Sequence, residues 1–344
     1  MVQPLKILSI GAGAIGTYVG GSLALRGHEV VFLEQLEAAR SMKGQSLRLL
    51  MHDVEHNVSD PTVVGSLDEA LMLGPYDVAL FALKSYDTPA ALESFTPFAD
   101  RVPPFLCLSN GVENEEAIAA AFGPNKVVTG TVTTAIGRRG IGNIVLERLR
   151  GIGVAAGHPL SATLVEAMDD AGLQAQLFPN AQDLKWSKML TNLISNALSA
   201  ILDMPPAEIF SHPGLYYLEI QQLRECLQVM KAQGIKVVNL PGTPVKSLAF
   251  AVKSLPLWLS KPLIGKAVGG GRGDKMPSFH IDLHSERGKS EVGYLNGAVV
   301  RRGEQLNIPT PANLLLNQTL TALTMGHEDI ETYRKKPEVL LAEL

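Results

Sequence analysis

Residues 5–27, "LKILSIGAGAIGTYVGGSLALRG", constrain this chain more than any other stretch: an apolar run, a glycine-rich loop, then helical apolar spacing that stops at Gly27. A strand that passes through G-x-G-x-x-G directly into a helix is the opening of a dinucleotide-binding βαβ unit. Gly11 permits the tight turn and Gly13 removes a side chain where backbone must approach a pyrophosphate. Gly16 lets helix and strand pack closely, and Ala14 and Ile15 complete the loop. The helix start then offers unpaired N–H groups and a positive dipole end to phosphate. The next strand, "HEVVFLE", ends at Glu34, about 20 residues on, where an acid accepts the ribose 2′-hydroxyl of NAD and repels the 2′-phosphate of NADP. The alternative for Glu34 read alone is an exposed charge at a strand end.

Further runs extend the pattern. "YDVALFALKS" is nearly continuous apolar sequence, as a parallel strand covered on both faces must be, and it ends at Lys84. "FLCLSNGV" does the same and ends at Asn110, and "VVTGTVTTAIG" is a third such run. Ligands of open α/β sheets sit outside the carboxyl ends of the strands, so Lys84 and Asn110 fall where a cofactor and its substrate would meet. A plain turn and a solvated strand end are the alternatives. "AIGRRGIGNIVLERLRGIGVAAGH" alternates like antiparallel strands and is expected to finish the sheet. The expected fold is α/β: a Rossmann-type dinucleotide-binding domain over 1–175, then an all-helical domain over 176–344 for substrate and dimerisation.

Composition narrows the function. With 344 residues, 46% of them hydrophobic and 19% charged, the chain suits two globular domains. A net charge of −4 and a pI of about 6.1 argue against nucleic acid or anionic membrane as partners. Two cysteines without metal-like or redox-like spacing suit a reducing compartment, and the N-terminus runs straight into a strand without room for a leader. A cytoplasmic location follows as an expectation. His280 and His284 stand four apart with Asp282 near, yet no further ligand can be read beside them, so no metal is expected.

The second half changes to helical periodicity, with helices expected at 182–202, 213–234, 277–305 and 312–325. Along 213–234 the apolar stripe is Leu215, Leu218, Leu223, Leu227 and Met230. In "DLKWSKMLTNLISNALSA", by contrast, Lys188, Asn192 and Asn196 advance in steps of four, which places three polar heads on one helical stripe. The stripe is either a polar seam satisfied by backbone carbonyls or the wall of a cleft between the domains, where small substrates bind. In a cleft, a partly desolvated lysine ammonium is a workable proton donor to a developing alkoxide.

Taken in order, "GAGAIG", "LK" at 83–84, "SNG" at 109–111, "WSKMLTN" at 186–192, "PSFHIDL" at 277–283 and "SEVGYLNGAVV" at 290–300 resemble the ketopantoate reductases over nearly the whole chain. The resemblance implies NADPH-dependent reduction of 2-dehydropantoate to pantoate, on a Rossmann domain joined to a helical one. By position it makes Lys188 the general acid, and Asn192 and Asn196 substrate-holding asparagines. It makes Asn110 the asparagine beside nicotinamide and substrate, and Lys84 a cofactor-side lysine. Ser278 becomes the serine that binds the substrate carboxylate, and Glu291 the glutamate that binds the hydroxyl end of the substrate and organises Lys188. A helical second domain of this kind implies a homodimer.

Three departures stand out. The family's arginine for the 2′-phosphate falls at Gln35, next to the acidic Glu34, which favours NADH over NADPH. The stretch between Asp282 and Glu291 is one residue longer than the common pattern. Residues 239–276 are long and apolar, and from Cys226 through Gly273 the chain has Lys231, Lys236, Lys246, Lys253, Lys261, Lys266 and Arg272 but no Asp or Glu. This basic segment either steers an anionic 2-oxo acid to the cleft, with "GGGRGDKMP" as a lid hinge, or forms a helical pair at a subunit interface. A basic membrane-surface helix is the third option. Two functions rival 2-dehydropantoate reduction: an NADH-dependent reductase of another branched 2-oxo acid, and a nucleotide-binding sensor without turnover. Lys188 and Glu291 argue against the sensor, which needs no proton donor.

Overall fold

The structure, a computed structural model, describes residues 3–272, 276–285 and 288–344, with side chains described except at 263 and 266–272. It divides into two compact units. The first is Met1–Lys185 with Leu240–Thr243, and the second is Trp186–Asn239 with Pro244–Leu344.

The strands of the first unit are β1 (Lys6–Ile10), β2 (Glu29–Leu33), β3 (Leu47–Met51), β4 (Val54–Val58), β5 (Thr62–Val64), β6 (Val78–Phe81), β7 (Phe105–Cys107), β8 (Val127–Val132), β9 (Ala135–Gly140), β10 (Asn143–Arg148), β11 (Ile152–Ala155) and β12 (Ala175–Phe178). Its helices are α1 (Ala14–Ala24), α2 (Leu36–Met42), α3 (Leu67–Leu73), α4 (Thr88–Phe95), α5 (Asn114–Phe122) and α6 (Ser161–Asp170). The main sheet has the order β12-β11-β8-β7-β6-β1-β2-β5. All its pairings are parallel except β8 with β11. Successive residues of a strand point to opposite faces, and here both faces are covered: Ile7, Phe32, Leu80 and Leu106 pack on one side, Leu8, Val31, Phe81 and Phe105 on the other. That double burial is why the strands read as unbroken apolar runs.

The expectation that residues 135–158 finish this sheet is corrected. Of that stretch only β11 joins it. The hairpin β9–β10 belongs to a second sheet, β4-β3-β10-β9, whose β3–β10 pairing is parallel. Helix α1 lies between the two sheets, with the small pair Gly20 and Gly21 facing Phe32 and Leu49. The expected boundary at 175 also moves, because β12 begins there and pairs with β11, so the first unit continues to Lys185.

The second unit is helical: α7 (Ala181–Leu193, entering from the first unit), α8 (Asn196–Leu202), α9 (Pro206–Ser211), α10 (Pro213–Ala232), α11 (Val245–Ser254), α12 (Leu257–Arg272), α13 (Ser278–Leu283), α14 (Asn296–Gln305), α15 (Pro311–Thr324), α16 (Ile330–Tyr333) and α17 (Pro337–Leu341). No helix among the described residues is long and apolar enough to cross a membrane. The stripe from Leu215 to Met230 is buried as expected, but α10 also buries Glu219, Gln222 and Glu225. Each meets the end of another helix. The Glu225 carboxylate accepts from Ala312 N (2.8 Å), Asn313 N (2.9 Å) and Asn313 Nδ2 (2.7 Å) at the start of α15. Burial raises the pKa of Glu225, and these three donors pull against it. Gln222 Oε1 accepts from Asn296 Nδ2 at the start of α14 (3.0 Å).

Glu219 acts on the segment expected to be one helix over 182–202. That expectation is also corrected: the helix breaks at Ile194–Ser195, where Ser195 is left-handed at φ 55° and its N–H is received by both Glu219 oxygens at 3.1 Å. The single helix expected over 277–305 is likewise divided into α13 and α14, with a 3-10 turn at Val292–Tyr294 before the latter. Glycine triplet Gly269–Gly271 forms the last turn of α12 instead of a loop, and residues 273–275 of the expected hinge lie outside the described residues.

Ser195 is fully buried, carries the Cβ penalty of the left-handed region, and among the described residues its hydroxyl has no hydrogen-bond partner. Ser195→Gly is expected to stabilise the protein by about 1 kcal/mol in urea unfolding, since it removes both costs. A lower stability would show that the hydroxyl makes a contact worth more than the strain.

Candidate active site

In the first unit the loop between β1 and α1 is shaped by sterics. Gly11 adopts φ +92°, and a Cβ placed on Gly16 would stand 1.8 Å from the Gly11 carbonyl oxygen, so no side chain fits there. Helix α1 therefore starts pressed against the end of β1. Gly13, its N-cap, is the opposite case: a Cβ there would meet nothing within 4 Å. The space above Gly13 is open in front of a helix start, which is the cradle a pyrophosphate requires.

Glu34 is not a solvated strand end. Its Oε1 accepts a hydrogen bond from Ala12 N, inside the loop, and its Oε2 accepts from Gln35 N at 3.2 Å. The carboxylate is thus pinned beside the glycine turn, where the ribose of a dinucleotide would lie. Exposed Gln35 caps α2 and places no cation beside it.

The sheet order turns from β1–β2 to β6–β7 at β1, so the loops after β1 and β6 flank the switch point where α/β sheets bind ligands. They are adjacent: a Cβ on Gly11 would touch Leu83 at 3.3 Å. Half-buried Lys84 follows β6, and half-buried Asn110 follows β7. A hydrogen-bond lattice fixes both loops. The Asn110 carbonyl accepts from Ser85 Oγ (2.8 Å) and Asn114 Nδ2 (2.6 Å), Thr88 Oγ1 donates to Asn114 Oδ1 (2.8 Å), and Ser109 Oγ donates to the Leu83 carbonyl (2.8 Å).

One residue of this lattice escapes sequence reasoning. Lys185, only 4% exposed, donates from Nζ to the Ser109 carbonyl at 2.7 Å and pairs with Glu115 at 2.8 Å. A buried ammonium needs such partners, and here they anchor the residue next to Asn110. The available signal was a lysine inside the apolar run "LKW" of α7, overshadowed by Lys188 one turn later.

In the second unit, Lys188 and Asn192 keep their four-residue spacing on α7 and are half-buried. Asn196 does not continue their stripe, because the break at Ser195 makes it the first residue of α8. Its amide is committed within the protein: Nδ2 donates to the Asn192 carbonyl (3.1 Å), and Oδ1 accepts from Phe279 N (3.0 Å). It also meets Ser278 Oγ, at 3.3 Å from Nδ2. Asn196 and Ser278 are thus brought together, with Ser278 exposed at the start of α13. Glu291 is buried, 1% exposed, just before the turn Val292–Tyr294.

The basic segment does not behave uniformly. Lys261 Nζ donates to the Ser211 carbonyl (2.8 Å) and lies 6.0 Å from the Tyr216 ring centre, while the side chains of Lys266 and Arg272 lie outside the described residues. On α11 and α12, Phe250 is 61% and Trp258 74% exposed.

Comparison with known proteins agrees with these two units. Residues 7–156 match the family model "Ketopantoate reductase PanE/ApbA", and residues 180–324 match its C-terminal companion. A 2-dehydropantoate 2-reductase of Archaeoglobus fulgidus is 27% identical over 342 residues, covering 95% of this chain and 98% of the relative. One from Streptococcus pyogenes is 25% identical, covering 91% of this chain and 95% of its own. Among solved structures, a PanE/ApbA family ketopantoate reductase from Ralstonia eutropha superposes with a TM-score of 0.78 at 25% identity, covering 94% of this chain and 100% of that one. A D-mandelate dehydrogenase solved with NADH and anilino(oxo)acetate shares the fold, with a TM-score of 0.74 at 21% identity, covering 93% of this chain and 99% of that one.

The glycine geometry separates binding from folding. Gly13→Ala is expected to leave the urea unfolding midpoint unchanged but to weaken NADH at least about tenfold in a fluorescence titration, because its methyl enters the space a pyrophosphate needs. Unchanged NADH affinity would show that the dinucleotide does not approach Gly13.

Proposed function

The chain belongs to the ketopantoate reductase family, and from that premise we propose that it reduces a small anionic 2-oxo acid, 2-dehydropantoate in the first instance, to the 2-hydroxy acid (R)-pantoate, with NADH as the preferred cofactor. Family membership supports the reaction. The observation that carries the cofactor choice is the Glu34 carboxylate held on Ala12 N, with Gln35 beside it in place of a cation.

When bound, the dinucleotide supplies a hydride to the carbonyl carbon. Everything else falls to the protein. The loop Gly11–Gly16 with Ala14 and Ile15 receives the pyrophosphate, and Glu34 accepts the ribose hydroxyl and repels a 2′-phosphate. Lys84 and Asn110, held by the lattice around Ser85, Asn114 and Lys185, bind on the nicotinamide side. Lys188 donates a proton to the carbonyl oxygen as negative charge develops there, and Glu291 keeps that ammonium charged and takes the hydroxyl end of the substrate. Asn192 and Ser278 hold the substrate, with Asn196 aiming Ser278 through their mutual contact.

A second substrate reading, a bulkier branched 2-oxo acid, is favoured by the same departure at Glu34 and Gln35 and by the long apolar segment. The protein is further proposed to act in the cytoplasm, where its two free, buried cysteines stay reduced, and to form a homodimer. Exposed Phe250 and Trp258 support a second copy covering α11 and α12 over a purely electrostatic role for that region.

Lys188→Ala is expected to lower kcat for 2-dehydropantoate by about 10²- to 10⁴-fold while NADH affinity stays within about twofold, as loss of a general acid requires. Activity that survives the substitution would remove Lys188 from the chemistry.

A further inference from the structure

The cluster at the end of α8 is used by none of the roles above. Asp203 follows α8 in the left-handed conformation, φ 49° and ψ 48°. Its Oδ1 lies 2.8 Å from His280 Nε2, and its Oδ2 accepts from Arg334 Nε at 2.9 Å. His284, one helical turn beyond His280, brings its ring centre within 4.3 Å of the His280 ring. One ligand atom from each of Asp203, His280 and His284 lies within 4.8 Å of the others. The sequence placed Asp282 beside the two histidines; the folded chain brings Asp203 instead.

An ion-pair network alone accounts for part of this arrangement. Arg334 and His280 satisfy both oxygens of Asp203, but His284 is left over, exposed, and among the described residues its ring has no hydrogen-bond partner. Two imidazoles, one on α13 and one at its C-cap, gathered with the Asp203 carboxylate, make a donor set of nitrogen and oxygen suited to zinc-like divalent ions. Ligands of a four-coordinate zinc stand about 3.3 Å apart, so rotation of the exposed His284 ring closes the set. Arg334 is placed as metal-binding carboxylates require: it holds the other oxygen and leaves Oδ1 to the cation.

We propose that Asp203, His280 and His284 form a binding site for a divalent transition-metal ion of the zinc class, with water as the remaining ligand. The cation takes the position of the proton between His280 and Asp203. Its role is structural: α8 and α13 are already joined at their first residues through Asn196, Ser278 and Phe279, and the metal joins them again at Asp203 and His284. The pair that presents Ser278 is thereby fixed at both ends. This inference is independent of which 2-oxo acid the protein reduces.

The test is titration of the metal-free full chain with Zn2+ by calorimetry, beside His284→Ala and Asp203→Asn. The wild-type chain is expected to take up one equivalent and to gain thermal stability with it. Because His284 is exposed, His284→Ala should retain the metal-free melting temperature while its Zn2+ affinity falls at least about tenfold, the scale of losing a ligand or its support. Cobalt offers a reading without substitution: the visible absorption of Co2+ should change on addition of wild-type protein, and excess Zn2+ should reverse the change. No uptake of Zn2+, equal affinity in wild type and His284→Ala, or a Co2+ spectrum unchanged from the free ion would each overturn the proposal.

Discussion

The contact between Gly16 and the Gly11 carbonyl is the constraint on which the first unit is built. With the site of a Cβ only 1.8 Å from that oxygen, α1 has to start directly on the end of β1. From that closeness follow the burial of α1 between two sheets and the open space over Gly13 at its start. The turn also presents Ala12 N to Glu34, so one backbone geometry opens the space over Gly13 and fixes the carboxylate beside it, the two features on which the proposed NADH site rests. The lattice around Asn110 repeats this logic at the neighbouring strand ends, where buried Lys185 replaces a glycine contact with a charge-assisted one.

The helical unit depends on polar groups inside its core. Helix ends leave unpaired N–H and C=O groups, and a buried end without a partner is costly. Helix α10 meets this need from one face: Glu219 receives the N–H of Ser195, Gln222 donates to the Leu193 carbonyl at the end of α7, and Glu225 receives the N–H groups of Ala312 and Asn313 at the start of α15. The break in the α7–α8 segment is a consequence. It lets Asn196 turn its amide toward Ser278 and Phe279, so the residue expected at the substrate is joined to the start of α13.

What could be read in the sequence was local. The βαβ opening, the doubly buried strands and the apolar stripe of α10 are written in consecutive residues, and all three stand in the structure. Pairings between distant residues were not legible. Strands β9 and β10 alternate as antiparallel strands should, but nothing in their sequence says that β3 pairs beside β10. The break at Ser195 has no glycine or proline to announce it, and its partner Glu219 is 24 residues away. Asp203 and His280 are 77 residues apart, which hid their meeting. The burial of Lys185 is not legible for a related reason: it depends on Glu115 and Ser109, distant in sequence.

The proposed function rests on the pinned Glu34 carboxylate serving a 2-oxo acid reductase that works with NADH. Its most direct test is the loss of reduced-nicotinamide absorbance with 2-dehydropantoate, followed in parallel with NADH and NADPH. Turnover is expected, with kcat/KM for NADH at least about tenfold above that for NADPH, whose 2′-phosphate the carboxylate repels. Equal or better use of NADPH would contradict the role given to Glu34, and no turnover with either cofactor would contradict the reaction itself.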